Sequence, residues 1–248
     1  MKPYNVAVAN GRKFAVFDID GTLIRWQLYH AIADALATKG HIKPHIYKNI
    51  RDARMAWKRR GGAFKDYEIQ LVAAYENVLK TLSFKQLDEA IDDVFEEYKD
   101  QVYIYTRALI KDLKKQNYLI FAISGSQSEI VAKVADYYGF DDFLGTIYER
   151  QGTKFSGQKE VVAFYKDKAL KNLVSKNSAV YKDSVAIGDS LSDAAMLKLV
   201  DQPIAFNPEK ELFEVAQKAG WKVVIERKNM VYELERNNGR YQLVKTNY

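Results

Sequence analysis

The sequence predicts an α/β fold: a parallel sheet with helices on both faces and a bundle of helices inserted after the first strand. Three observations predict it. Short apolar runs end in small polar or acidic residues at KFAVFDID (13–20), YLIFAIS (118–124) and SVAIGDS (184–190). These runs lack the polar alternation of a strand with one wet face, so both of their faces should be covered. Between the first two runs, residues 25–104 read as helical throughout, and amphipathic stretches separate the later runs.

In order along the chain, Trp26, Tyr29, Ile32, Ala33 and Leu36 mark one apolar helical stripe, and Phe64, Tyr67, Leu71, Val72, Tyr75, Val78 and Leu79 mark a second. Between them RDARMAWKRRGG (51–62) reads as a helix whose last turn carries cations against the negative dipole end before a Gly stop. An anion-facing role for Arg51, Arg54 or Arg59 is the other reading of that cluster. SFKQLDEAIDDVFEEY (83–98) opens on Ser83 and Gln86, the spacing of a capping box, with Leu87, Ile91, Val94, Phe95 and Tyr98 on its apolar face. A helix over about 106–116 leads to the second strand, and SQSEIVAKVADYYG (126–139) is a helix with a Gly stop. GTIYERQGTKFSGQ (145–158) reads as a hairpin or flap, and KDKALKNLVSKN (166–177) as the helix before the third strand. LSDAAMLKLV is helical, PIAF a short strand and KELFEVAQKAG a helix, and β-rich runs flank Asn-Asn-Gly within 229–245 as in a hairpin.

The composition narrows the function classes. At 248 residues and 48% hydrophobic, the chain can bury a full core. It has no cysteine, which excludes disulfides and thiolate metal sites and fits the cytoplasm. No apolar run of membrane length occurs, and MKPYNVAVANGRK lacks the apolar stretch of a signal peptide, so a soluble, non-exported, cytoplasmic protein is expected, without a membrane partner. The net charge of +6 comes from 38 Lys and Arg scattered among 32 Asp and Glu, a pattern that gives no support to nucleic-acid binding.

The chemistry resides at the ends of the three runs. The carboxyl edge of an open parallel sheet is where ligands bind, so Asp18, Asp20, Ser124, Asp189 and Asp193 should converge there. Gly21 permits the turn that would swing Asp20 toward the cavity of Asp18. Clustered carboxylates repel one another unless a hard divalent cation relieves them, and Mg²⁺ is the cation expected here. Aspartate is a nucleophile toward phosphorus, and a second acid can protonate the leaving oxygen. A hydroxyl and backbone N–H groups in SGSQ (124–127) could hold phosphate oxygens at a strand end.

Together, DIDGT (18–22), SGSQ, the lysines of KDKALKNL and GDSLSD (188–193), in this order, resemble the haloacid dehalogenase superfamily of phosphatases and phosphotransferases. The resemblance implies a Rossmann-like three-layer core over 1–24 and 105–248 with a helical cap over 25–104. It also implies a Mg²⁺-dependent phosphatase that hydrolyses a small phosphorylated metabolite through an aspartyl phosphate. Asp18 then resembles the nucleophile and Asp20 the general acid/base, with Thr22 in support; Ser124 and Gly125 hold the phosphoryl group. Lys168, preferred to its neighbour Lys166 because K-A-x-x-x-L opens the helix as the family pattern does, resembles the lysine that offsets charge on phosphate and nucleophile. Asp189, Asp18 and the Asp20 carbonyl resemble the metal ligands, and Asp193 the second acid of that motif. The inserted cap, with GTIYERQGTKFSGQ, GDSLSDAAML and AFNPEKEL, is most similar to the branch that includes phosphoserine phosphatases. This chain differs from them in Ser124-Gly125-Ser126 where they carry Ser-Gly-Gly, and in Arg25-Trp26-Gln27 where they carry an early glutamate. Transfer of the phosphoryl group to another acceptor, or a non-catalytic binding module on the same fold, are the competing expectations; oligomeric state is left open.

Overall fold

A computed structural model describes residues 11–62 and 64–247. Residues 1–10, on which the expectation of a non-exported chain partly rests, and the side chains of Phe64 and Lys65 lie outside it. Among the described residues, no helix is long and apolar enough to cross a membrane.

The three apolar runs form β1 (Lys13–Phe17), β2 (Leu119–Gln127) and β5 (Val180–Gly188), and β1 lies between the other two, parallel to both. With β3 (Asp142–Gln151), β4 (Lys154–Glu160), β6 (Gln202–Phe206), β7 (Lys222–Arg227), β8 (Met230–Asn237) and β9 (Arg240–Asn247) they make one nine-stranded sheet in the order β4-β3-β2-β1-β5-β6-β7-β8-β9. The six central strands are parallel; β4 at one end and β8 and β9 at the other are antiparallel. The hairpins expected over 145–158 and 229–245 are thus the two edges of the sheet. β7 had no counterpart in the sequence reading.

Both faces of the sheet are covered, as unbroken apolar strands require. Phe14 and Val16 of β1, with Phe121 of β2 and Ala186 of β5, pack on one face against α7 (Lys166–Lys176), α8 (Ala194–Leu197) and α9 (Lys210–Ala219) through Leu170, Leu173, Leu197 and Leu212. Their sequence neighbours Ala15, Phe17, Ile120, Ala122, Val185 and Ile187 belong to the opposite face. There they join one continuous apolar cluster with α5 (Ile104–Lys115), α6 (Ser128–Tyr138) and four helices that lie in the chain between β1 and α5: α1 (Leu28–Thr38), α2 (Pro44–Lys58), α3 (Phe64–Leu79) and α4 (Phe84–Tyr98). The two-residue alternation of a strand sends adjacent side chains into different layers.

The helix boundaries have local causes. Ser83 Oγ accepts the Gln86 N–H while Gln86 Oε1 accepts the Ser83 N–H, the reciprocal cap expected for α4. Gly139 ends α6 in the left-handed conformation at φ 63°. Beyond the end of β1, Ile24 and Val102, which flank helices α1 to α4 in the chain, form an isolated antiparallel bridge.

Candidate active site

Asp18 emerges directly from β1, and its N–H is tied to the Ile187 carbonyl of β5 at 3.0 Å. The following turn is closed by the N–H groups of Leu23 and Ile24, both bonded to the Ile19 carbonyl at 2.9 Å. Gly21 adopts φ 80°, and a Cβ there would sit 2.1 Å from Asp189 Oδ2, so both the backbone and the close approach require glycine. Asp18 and Asp20 are buried on either side of Ile19.

The partners of these two carboxylates differ. Asp20 Oδ2 accepts Ser124 Oγ–H at 2.6 Å, while Oδ1 accepts Ser126 Oγ–H at 3.0 Å and the Leu28 N–H at 2.5 Å. The donor from Leu28 is an otherwise unpaired amide in the first turn of α1. Ser124 Oγ also accepts the Ser126 N–H at 2.9 Å, and the Gly125 carbonyl accepts Thr146 Oγ–H at 2.7 Å, which fixes the end of β2. Burial raises the Asp20 carboxyl above its ordinary value, against the pull of those hydrogen bonds.

Asp18 faces the other way. Lys166 Nζ donates to Asp18 Oδ1 at 2.7 Å and to Asp193 Oδ1 at 2.5 Å, and all three side chains are buried. Asp193 Oδ2 accepts from the Asp189 and Ser190 N–H groups and from Ser190 Oγ, which locks the turn after β5. A Cβ on Gly188 would lie 2.5 Å from the Asp193 side chain, so that turn also depends on a glycine. Ligand oxygens of Asp18, Asp189 and Asp193 lie within 4.8 Å of one another.

This placement corrects the choice of lysine. Lys168 is exposed, whereas Lys166 is 2% exposed and bridges two of the acids. The remaining expected residues, Asp18, Asp20, Thr22, Ser124, Gly125, Asp189 and Asp193, all sit at the carboxyl edge of β1, β2 and β5. Thr22 is buried, and its hydroxyl finds no partner among the described residues. The Asp20 carboxylate is turned toward the serines and is not part of the acid cluster, which leaves its backbone carbonyl as the donor expected of it; Asp193, expected only in support, contributes an oxygen to the cluster.

The donor set fits a hard divalent cation. One lysine faces three carboxylates, and no hydrogen-bond donor among the described residues reaches the Asp189 carboxylate. Burial, then Asp18 and Asp193, raises Asp189 well above the ordinary carboxylate range. Burial pushes Asp18 up to about 7, against the pull of Lys166 and with the help of Asp193 and Asp20. Burial alone would lower Lys166, but Asp18 and Asp193 raise it, so it stays charged.

A parallel α/β sheet with an acid-lysine cluster at its carboxyl edge and helices inserted after β1 defines a class of hydrolases. Residues 15–198 match the model of the haloacid dehalogenase-like hydrolase family, and the chain belongs to that family. It is similar to a phosphoserine phosphatase of Mycobacterium tuberculosis, 23% identical over 84% of this chain and 69% of that protein. A histidinol-phosphatase of Neisseria meningitidis is also 23% identical, over 86% of this chain and 98% of that one. Among solved structures, a Bordetella pertussis protein of unknown function superposes with a TM-score of 0.70, at 21% identity over 87% of this chain and 99% of that chain. A phosphoserine phosphatase captured as a phospho-aspartyl intermediate analogue superposes with a TM-score of 0.60, at 20% identity over 88% and 95%. At these identities the structural likeness concerns the fold.

Proposed function

We propose that this hydrolase is a Mg²⁺-dependent phosphomonoesterase that works through an aspartyl phosphate on Asp18. The observation that carries the reading is the division of labour between two buried carboxylates two residues apart: Asp18 is held by Lys166 beside the acid cluster, and Asp20 is held by hydroxyls and an N–H on the other side.

Asp18, Asp189 and the Asp20 carbonyl, with Asp193 beside them, would hold the cation, which supplies Lewis-acid charge to a phosphate oxygen. Lys166 keeps Asp18 oriented and presents positive charge to the same phosphate, a role assigned here to Lys166 in place of Lys168. The N–H at Gly125 offers a donor to the remaining oxygens, and Ser124 would turn its hydroxyl from Asp20 Oδ2 to the phosphate once the ester is bound. An Asp18 carboxylate oxygen then forms a bond to phosphorus as the bond to the ester oxygen breaks, and Asp20 passes a proton to the departing alkoxide. Water next attacks the acyl phosphate, Asp20 takes its proton, and inorganic phosphate leaves with Asp18 regenerated. The raised pKa of Asp20 suits a group that must carry a proton in one half of the cycle. Helices α1 to α4 would act as a cap that covers the leaving group and excludes water from the first step.

Phosphate release from small phosphomonoesters, measured with Mg²⁺ and with chelator, tests the reading. Activity is expected only with the cation, and Asp18→Asn is expected to abolish it in a folded protein. Turnover by that variant at the wild-type rate would exclude Asp18 as the nucleophile.

A further inference from the structure

Gln127 closes β2, one residue beyond the Ser126 hydroxyl that holds Asp20, and its side chain is fully buried. Its Oε1 accepts the hydroxyl of Tyr75 from α3, while its Nε2 has no partner among the described residues. An amide donor left unpaired in the interior costs about 1–3 kcal/mol, so its retention beside a reaction centre calls for an explanation.

The surroundings say what it could meet. The Tyr75 ring lies 4.6 Å from that of Tyr29 and 5.9 Å from that of Tyr148. Tyr29 also gives its backbone N–H to Ser126 Oγ at 3.1 Å, and Ser126 Oγ–H is held by Asp20, so one hydroxyl links this group of rings to the Asp20 carboxylate. With Asp18 attacking in line from the Lys166 side, the leaving oxygen departs on the Asp20 side, where α1 and α3 present these groups. The rings themselves are neutral: burial, then Tyr148 and Glu129, holds the Tyr75 phenol well above its ordinary value, and the nearby carboxylates Glu129 and Glu76 are already paired with Arg150 and Lys159. Nor does the half-buried arginine of the basic stretch serve a substrate anion. Arg54 spends both terminal nitrogens on Asp34 at 2.7 Å and its Nε on the Tyr67 hydroxyl at 2.8 Å.

We infer that Gln127 and the rings of Tyr29, Tyr75 and Tyr148 form the leaving-group subsite, and that it selects phosphate esters of neutral hydroxyl-bearing alcohols, with the Gln127 amide donating to that hydroxyl. This inference rests on the phosphomonoesterase reading above and adds the substrate class. An amino-acid carboxylate is a poor match, because the subsite offers a neutral donor among rings while Arg54 is already engaged.

The test compares kcat/KM for glycerol 3-phosphate, propyl phosphate and phosphoserine. The wild-type enzyme should prefer glycerol 3-phosphate to both others by about tenfold or more, since a site built to bond a hydroxyl rejects the analogue that lacks it. In Gln127→Met the ratio of glycerol 3-phosphate to propyl phosphate should fall toward one, and the double variant Gln127→Met with Tyr75→Phe, which removes both buried polar partners together, should give the same ratio. Equal wild-type rates on the first two esters, a preference for phosphoserine, or a ratio unchanged in the variants overturns the subsite while leaving the phosphatase intact. Phosphate release from p-nitrophenyl phosphate but from none of the three esters overturns the subsite alone, and no release from any of the four overturns both readings.

Discussion

Lys166 and Lys168 stand two residues apart on one helix and share neither environment nor expected role. Lys166 is the first residue of α7, and a side chain there leans back past the helix start, toward the edge of the sheet where Asp18 lies. Two residues further on the helix has turned by about 200°, which sends Lys168 into solvent. Lys166→Met should therefore lower phosphate release by about 1,000-fold, since both the phosphate and Asp18 lose their fixed positive charge. Lys168→Ala should stay within about twofold of wild type, as exposed positions away from a site usually do. Steady-state rates of the two variants, measured beside wild type, decide between the lysines. The sequence could not separate them, because both fall in the short stretch that opens the helix, and the choice depends on which residue begins the first turn. The placement of the other candidate residues at the sheet edge was legible, since each follows an apolar run whose direction the sheet fixes.

At the level of elements, the three central strands, the capping box of α4 and both edge hairpins could be read from local pattern. Strand order and long-range side-chain pairs could not, because nothing local encodes which elements become neighbours. Arg25 and Glu226 illustrate this, being 201 positions apart in sequence and paired in the fold. Glu226 extends from β7, the strand missing from the sequence reading, and its buried carboxylate accepts the N–H groups of Ile104 at 3.1 Å and Tyr105 at 2.9 Å in the first turn of α5. Arg25 completes the joint by donating to the Val102 carbonyl at 3.0 Å and stacking on Tyr103 at 4.8 Å. One carboxylate thus binds β7, α5 and the crossing from sheet to inserted helices. Glu226→Ala, which leaves the α5 amides unpaired, should lower stability to urea by about 2–4 kcal/mol. Glu226→Gln retains an acceptor but loses charge at a helix N-terminus and should lose only about 1 kcal/mol. Equal losses in urea melts of the two variants would mean that the carboxylate's contacts with the α5 amides are not what stabilises the joint.

At the scale of the whole molecule, the two apolar clusters meet across one sheet, so a perturbation buried in the helices between β1 and α5 should register in global stability. His30 is such a site: it is buried in α1, with its ring 5.1 Å from that of Tyr67. Burial, then the nearby Arg54, lowers its pKa to about 4, with Asp34 opposing. The unfolded chain takes up a proton on this imidazole near pH 6.5, whereas the folded chain does so only near 4. Stability from His30 is therefore complete above about pH 6.5 and is lost as the pH falls toward 4, amounting to about 3 kcal/mol over the full window. Asp18 acts in the opposite sense, because its folded pKa is raised to about 7 and the native state gains protons over the same range in metal-free protein. A single melting curve would mix the two effects. The difference between wild type and His30→Gln, both measured in chelator at pH 7 and pH 5, cancels the Asp18 contribution and isolates the imidazole. Wild type should lose about 2 kcal/mol more than the variant between those two pH values; parallel losses would mean that His30 is charged in the native fold.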